Sequence, residues 1–231
     1  MKRFYENVSV EAVAGGYGIF LDGRMVKTPD KKDAISPTRA MAQAIATEWQ
    51  AQGDKVDPAS MPLGKLLYTA LDRVEPRREA VITELLGFAK ADMLCYQSDF
   101  PADLKQRQKK LWHPLLLWAR ETHGLEFKVT HSIAHIEQDP SMLDKLHEVL
   151  QGVDSFRLTA LYNIVGLCSS VCVGLNILGR NITVEQAWAA AQLDEDFQNE
   201  QWGADEEARQ RVENMKADLD SAAVFLEFCQ A

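Results

Sequence analysis

The segment Asp154–Leu178, DSFRLTALYNIVGLCSSVCVGLNIL, decides what kind of fold the rest of the chain can make. Phe156, Leu158, Leu161, Ile164, Val165, Leu167, Val171, Val173, Leu175, Ile177 and Leu178 leave it no polar side, so as a helix it must be covered all round. Arg157, Asn163, Ser169 and Asn176 interrupt it too often for a bilayer span, and no other apolar run is long enough to cross a membrane. The segment is therefore predicted to be the core helix of a bundle, and membrane insertion is not expected.

The next segment, Thr183–Gly203, reads TVEQAWAAAQLDEDFQNEQWG. Thr183 can cap its first turn while Gln186 reaches back, and a glycine closes it, which predicts a single helix of about five turns. On a regular helix Val184, Ala187, Trp188, Ala191 and Trp202 share one face with Glu195 and Gln198, and Leu193 and Phe197 point the other way. A carboxylate on an apolar line is either satisfied internally or offered to a partner, which makes Glu195 the focal residue. After it, acidic residues at 205–207 suit the first turn of a last helix. Its seam runs Ala208, Val212, Met215, Leu219, Ala222, Leu226 and Cys229.

On the N-terminal side of the core segment, helices are predicted from Pro37 to about Gln52, from Pro62 to Val74, and from Pro76 to about Gln97. In the last of these Val81, Leu85, Phe88 and Tyr96 form a stripe that contains Asp92, a second carboxylate on an apolar line. A fourth helix, from Pro101 to about Thr122, is expected to kink or break near Leu111, because Pro114 lacks an amide donor and its ring collides with the preceding turn. Leu125–Val129 reads as a short strand and Ser141–Leu150 as a short helix. The first thirty-odd residues alternate in polarity, and Asp22-Gly23 between Tyr17–Leu21 and Met25–Thr28 is a strong hairpin signal. The fold class is thus α+β: a small antiparallel β-rich N-terminal domain with one helix, residues 1–60, and an α-helical bundle domain, residues 61–231. The boundary falls somewhere between 53 and 76.

The 231 residues carry a formal charge of −9, unevenly placed. From Thr183 onward there are 12 acidic and 3 basic residues, whereas the first 182 hold 22 of each. An acidic chain with no basic patch is not expected to bind nucleic acid, and suits a partner with a basic surface. Cys95, Cys168, Cys172 and Cys229 lack paired CxxC spacing and read as reduced, buried thiols. Gly15-Gly16-Tyr17-Gly18 is followed by neither Gly-Lys-Ser/Thr nor a helix, so it reads as a turn rather than a phosphate loop. His131 and His135 are four apart, but their segment has no helical repeat and no third ligand accompanies them, so no metal site is expected. His113 has no serine or cysteine nucleophile signature with it. No catalytic residue and no cofactor are expected. Asp92 and Glu195 remain open: together they could serve a carboxylate-dependent hydrolase, and separately they could cap helices or, for Glu195, contact another protein. Asp194, Glu195 and Asp196 beside Trp202 make a plausible protein-binding anchor.

Several stretches resemble the assembly chaperones for the α subunit of the F1 part of ATP synthase: RFYENVSV at 3–10 with GYGIFLDGRMVKTP at 16–29, AIATEWQAQ at 44–52, ADMLCY at 91–96, the Trp112–Trp118 segment with its Pro114, and LDEDFQNEQWG at 193–203. The resemblance implies a non-enzymatic chaperone that holds the free α subunit and shields its subunit-contact surface until the α/β hexamer forms. It also implies a small β-containing domain followed by a helical one. The acidic residue of functional importance in the family's LDE segment carries over to Glu195, and Asp194, Trp202 and Gln198 are the expected contacts beside it. The opening MKRFYENVSV has no signal-peptide apolar stretch. With the resemblance, that implies the bacterial cytoplasm, or the mitochondrial matrix for a processed chain. A scaffold or regulatory module with another client is the remaining alternative.

Overall fold

Asp22 and Gly23 turn the chain with φ of 47° and 77°, the left-handed pair a two-residue hairpin requires. The Asp22 carboxylate fixes the turn by accepting from the amides of Glu6 and Asn7 at 3.2 and 2.8 Å. The structure, a computed structural model, describes residues 2–203 and 205–229. In it β2 (Gly16–Leu21) is the central strand of a small sheet, antiparallel to β1 (Val8–Val13), β3 (Arg24–Met25) and β4 (Ile35–Ser36). The Gly-Gly-Tyr-Gly run has its physical reason in this sheet. A Cβ on Gly16 would stand 2.2 Å from the carbonyl oxygen of Ser36, so glycine is what lets β4 lie against β2.

Two compact units can be distinguished: Met1–Arg78 with Ser155–Ala160 and Ser221–Ala231, and Glu79–Asp154 with Leu161–Asp220. In the first, α1 (Arg39–Gln50) lays Met41, Ala42, Ile45, Ala46 and Trp49 against the sheet. Thr38 caps α1 by accepting from the Met41 amide, and its hydroxyl donates to the Phe228 carbonyl at 2.8 Å, tying the last segment of the chain to the sheet's helix. α2 (Pro62–Thr69) has no capping side chain of its own. Glu48, from α1, accepts from the Leu63 and Gly64 amides at 2.8 Å each, a carboxylate set at the positive end of α2. The predicted helix to Val74 continues beyond Thr69 as one π-helical turn, Ala70–Val74.

In the second unit α3 (Arg78–Lys90) is shorter than predicted and buries Ile82, Leu85 and Ala89; a 3₁₀ turn, Met93–Cys95, follows it. α4 (Ala102–His123) packs on α5 (Pro140–Gln151), α7 (Val171–Leu178), α8 (Val184–Ala191) and α9 (Leu193–Trp202). Pro114 does not break α4. Pro114 is exposed on the outer side while Trp112 and Leu115 face inward, so the carbonyl freed by the missing amide can be hydrated. The predicted strand at Leu125–Val129 is absent; Thr130 makes an isolated parallel bridge to Tyr96.

The predicted single core helix is two, α6 (Ser155–Cys168) and α7. Ser169 turns the chain with a left-handed φ of 50°, and Ser170 caps α7 through its hydroxyl, which accepts from the Val173 amide at 3.0 Å. The predicted five-turn helix is also two, α8 and α9, parted at Gln192. The helix α10 (Glu206–Cys229) carries the seam read from the sequence, with Leu219, Ala222, Phe225 and Leu226 buried. The α+β class, a small N-terminal antiparallel sheet followed by helices, is as expected.

Candidate functional site

Two short helices, α8 and α9, meet at Gln192. Thr183 and Gln186 form the expected capping box at the start of α8, and α8 buries Ala187 and Ala190. At its end, the carbonyl of Ala190 accepts from the indole N–H of Trp112 on α4 at 2.9 Å. The chain then restarts as α9 with Leu193 and Phe197 as its buried pair. Of the face that Val184, Ala187, Trp188, Ala191 and Trp202 were expected to share with Glu195 and Gln198, only Ala187 is buried; Trp202 is 88% exposed and Glu195 is partly exposed.

The four expected contact residues are thereby placed on one helix, but in different settings. Glu195 is partly exposed and paired with Arg211 of α10 at 3.0 Å. Asp194 accepts from the amide nitrogen of Gln108 at 2.8 Å, and buried Gln108 in turn accepts from the Ser98 amide at 2.7 Å, so Asp194 also locks α9 to α4. Gln198 is exposed. Glu200 binds Arg107 at 2.7 Å, and that guanidinium lies over the Phe197 ring at 5.3 Å. Asp196 has its carboxyl held above the usual range, first by partial burial and then by the charges of Glu195 and Glu200. Glu195 and Glu200 are thus each paired with an arginine, whereas Asp194 and Asp196 make no ion pair among the described residues.

Two more exposed apolar side chains were not singled out from the sequence. Phe100 is 85% exposed beside the start of α4, and Ile133 is fully exposed in the following loop. Asp99 connects the two segments: it accepts from Lys105 at 2.7 Å and lies 3.6 Å from His131. Two residues along α4 from Lys105, Arg107 reaches Glu200 of α9. The sequence signal was faint: an isolated apolar residue before a helix-opening proline, and another in a polar loop.

Asp92 has the opposite setting. It is sealed in the interior, where its carboxylate accepts from the Leu94 amide at 3.1 Å, the Ser170 hydroxyl at 2.7 Å and the Cys172 amide at 3.0 Å. One side chain thus caps both the 3₁₀ turn and α7. Burial pushes its pKa up to about 6 despite these bonds. The same burial, and then the Asp92 charge, pushes the thiols of Cys95 and Cys168 up, which makes them unreactive. The hydrolase arrangement does not form: Asp92 is closed to any substrate and Glu195 is occupied by Arg211. His131 and His135 bond instead to the Gln97 carbonyl and the Tyr96 hydroxyl, each at 3.2 Å. Among the described residues no cluster of His, Cys, Asp or Glu is placed to hold a metal ion, and no helix is long and apolar enough to cross a membrane.

Residues 2–120 match the family described as ATP12 chaperone protein. A curated relative, the mitochondrial protein atp12 of Schizosaccharomyces pombe, is 27% identical over 237 residues, spanning 96% of this chain and 81% of its own. The crystal structure of Atp12 from Paracoccus denitrificans superposes with a TM-score of 0.94 at 35% identity, covering 98% of this chain and 97% of that one. The Atu1473 protein of Agrobacterium tumefaciens does so with a TM-score of 0.93 at 36% identity, covering 99% and 86%. With a family match over half its length and solved relatives of this identity along nearly all of it, the chain belongs to the ATP12 chaperone family and is a chaperone, not an enzyme.

Proposed function

We propose that the chain serves ATP synthase assembly by holding the free α subunit of F1 and covering its subunit-contact surface until the hexamer forms. The observation that carries this reading is the face of α9: an almost wholly exposed tryptophan at the end of a helix whose first turn bears three carboxylates. An exposed indole costs a monomer solubility and contributes nothing to its core, whereas at an interface it is among the most effective anchors. Glu195, Asp194, Gln198 and Trp202 are the proposed contacts, with Phe100 and Ile133 extending the apolar part. A chaperone must release its client, so a face of scattered apolar anchors among charges suits it better than a continuous apolar patch. The family and the relatives support the chaperone role, and the chemistry of α9 supports a client with a basic contact surface. The proposed location is the bacterial cytoplasm, or the mitochondrial matrix for a processed chain.

The test is co-purification of tagged chain with the α subunit. Glu195→Lys is expected to abolish it with the far-UV circular dichroism unchanged, and Trp202→Ser to reduce it at least about tenfold. Undiminished capture by both variants would remove α9 from the client contact.

A further inference from the structure

The first unit carries a concave surface that the α9 face does not explain. Two clefts, of about 460 and 390 Å³, share Pro29, Trp49 and Tyr68 and so run into one another as one trough. Val56, Pro58 and Met61 line one lobe, and Met25, Val26 and the exposed ring of Phe4 line the other. The walls are thus aromatic rings, prolines and aliphatic side chains, the surfaces on which extended or polyproline-like segments lie.

Polar groups in the trough specify what it fits. At its floor the indole N–H of Trp49 and the hydroxyl of Tyr68 are buried side by side, within reach of each other, and neither has a further hydrogen-bond partner among the described residues. Burial pushes the Tyr68 hydroxyl up to about 12, so it remains a neutral donor. An indole N–H can only donate, so what completes this floor is an acceptor such as a main-chain carbonyl. Along the rim Arg24, Lys65 and Arg73 are exposed and make no ion pair among the described residues. Two acids line it as well: Asp72, which accepts from two neutral donors, the Thr28 hydroxyl at 2.8 Å and the Asp30 amide at 3.0 Å, and Asp30, so that two carboxylates stand against the three cations. The rim is therefore net basic, on a chain whose total charge is −9.

We propose that this trough is a second client-binding site, which seats an extended apolar segment of the client polypeptide, with a main-chain carbonyl on the Trp49–Tyr68 floor and acidic residues at its end on Lys65 and Arg73. The proposal rests on the reading of the protein as a chaperone with a polypeptide client, and is separate from the choice of α9 as the other contact. It gives the protein two grips of opposite charge: carboxylates with Trp202 on one unit, and cations over an apolar trough on the other.

Two probe peptides test the trough by calorimetric titration of the full chain: an acetylated twelve-residue sequence of leucines and prolines ending in two glutamates, and the same sequence ending in two lysines. The wild type is expected to bind the glutamate probe at least about tenfold more tightly. The charge-reversed chain Lys65→Glu/Arg73→Glu should invert that preference, and Tyr68→Phe should weaken binding severalfold without loss of folding. Failure of the wild type to bind or to discriminate, or an unchanged preference in the charge-reversed chain, would overturn the proposal. A parallel capture of the α subunit separates the two readings. If the wild type binds the probe but no α subunit, the client is misidentified and the trough stands. If wild type and charge-reversed chain capture the α subunit alike, the trough is not a client site and the α9 contact stands.

Discussion

The junction between α6 and α7 and the face of α9 both hold a carboxylate that the sequence places on an apolar line, yet one is buried and the other is on the surface. At the junction, Asp92 finds three donors converging on it from the 3₁₀ turn and the start of α7. On α9, Glu195 lies at the surface with a single arginine partner. The difference teaches that an acid out of pattern marks a structural discontinuity in either case. Whether it becomes a cap or a contact depends on which side of the break the donors lie.

The sharpest way to break this contrast is Asp92→Ala. It leaves two amides and a hydroxyl unpaired in the interior, and should cost about 3 kcal/mol or more of unfolding free energy in a denaturant titration. A loss below about 1 kcal/mol would mean that the junction does not depend on its carboxylate.

A smaller effect lies in the pH dependence. With a folded-state pKa of about 6 and an unfolded value near 3.9, the native chain binds the Asp92 proton where the unfolded chain does not. Its contribution to stability is full below about pH 4 and is lost as pH rises through about 6, at about 1 kcal/mol per pH unit. Asp92→Asn has no such proton, so the wild type should lose stability relative to that variant across this window and run parallel to it above. Parallel curves throughout would place the native pKa at its ordinary value.

The smallest expected effect belongs to α9. Its ion pair with Arg211 is solvent-exposed, so Glu195→Lys should change unfolding free energy by less than about 1 kcal/mol. Trp202→Ser, at an exposed site, should leave the melting temperature within about 2 °C of the wild type. Destabilisation of either variant comparable to that of Asp92→Ala would erase the distinction between the two regions.

Local signals in the sequence were read correctly where a few neighbouring residues suffice. Asp22-Gly23 set the hairpin, and Thr183 with Gln186 set the capping box of α8. The interruptions were missed because their causes lie far off in the chain. Ser169 and Ser170 look like polar punctuation in one helix until Asp92, some eighty residues earlier, is seen to accept from Ser170 and Cys172. Nothing within Thr183–Gly203 announces that Trp112 takes the carbonyl of Ala190, or that of its two apolar sides the one with Leu193 and Phe197 is buried and the one with Trp202 is open. The trough was not legible at all, since Pro29, Trp49, Met61 and Tyr68 come from separate elements and only folding makes them neighbours.

The bond from Thr38 to the carbonyl of Phe228 has a bearing on biosynthesis. A sheet and helix built from the first fifty-odd residues are completed by a segment 190 positions further along the chain, which is synthesised much later. During most of its synthesis the first unit lacks the strip that carries Phe225 and Leu226, and its apolar floor stays open. A chaperone thus emerges with an unfinished surface of its own.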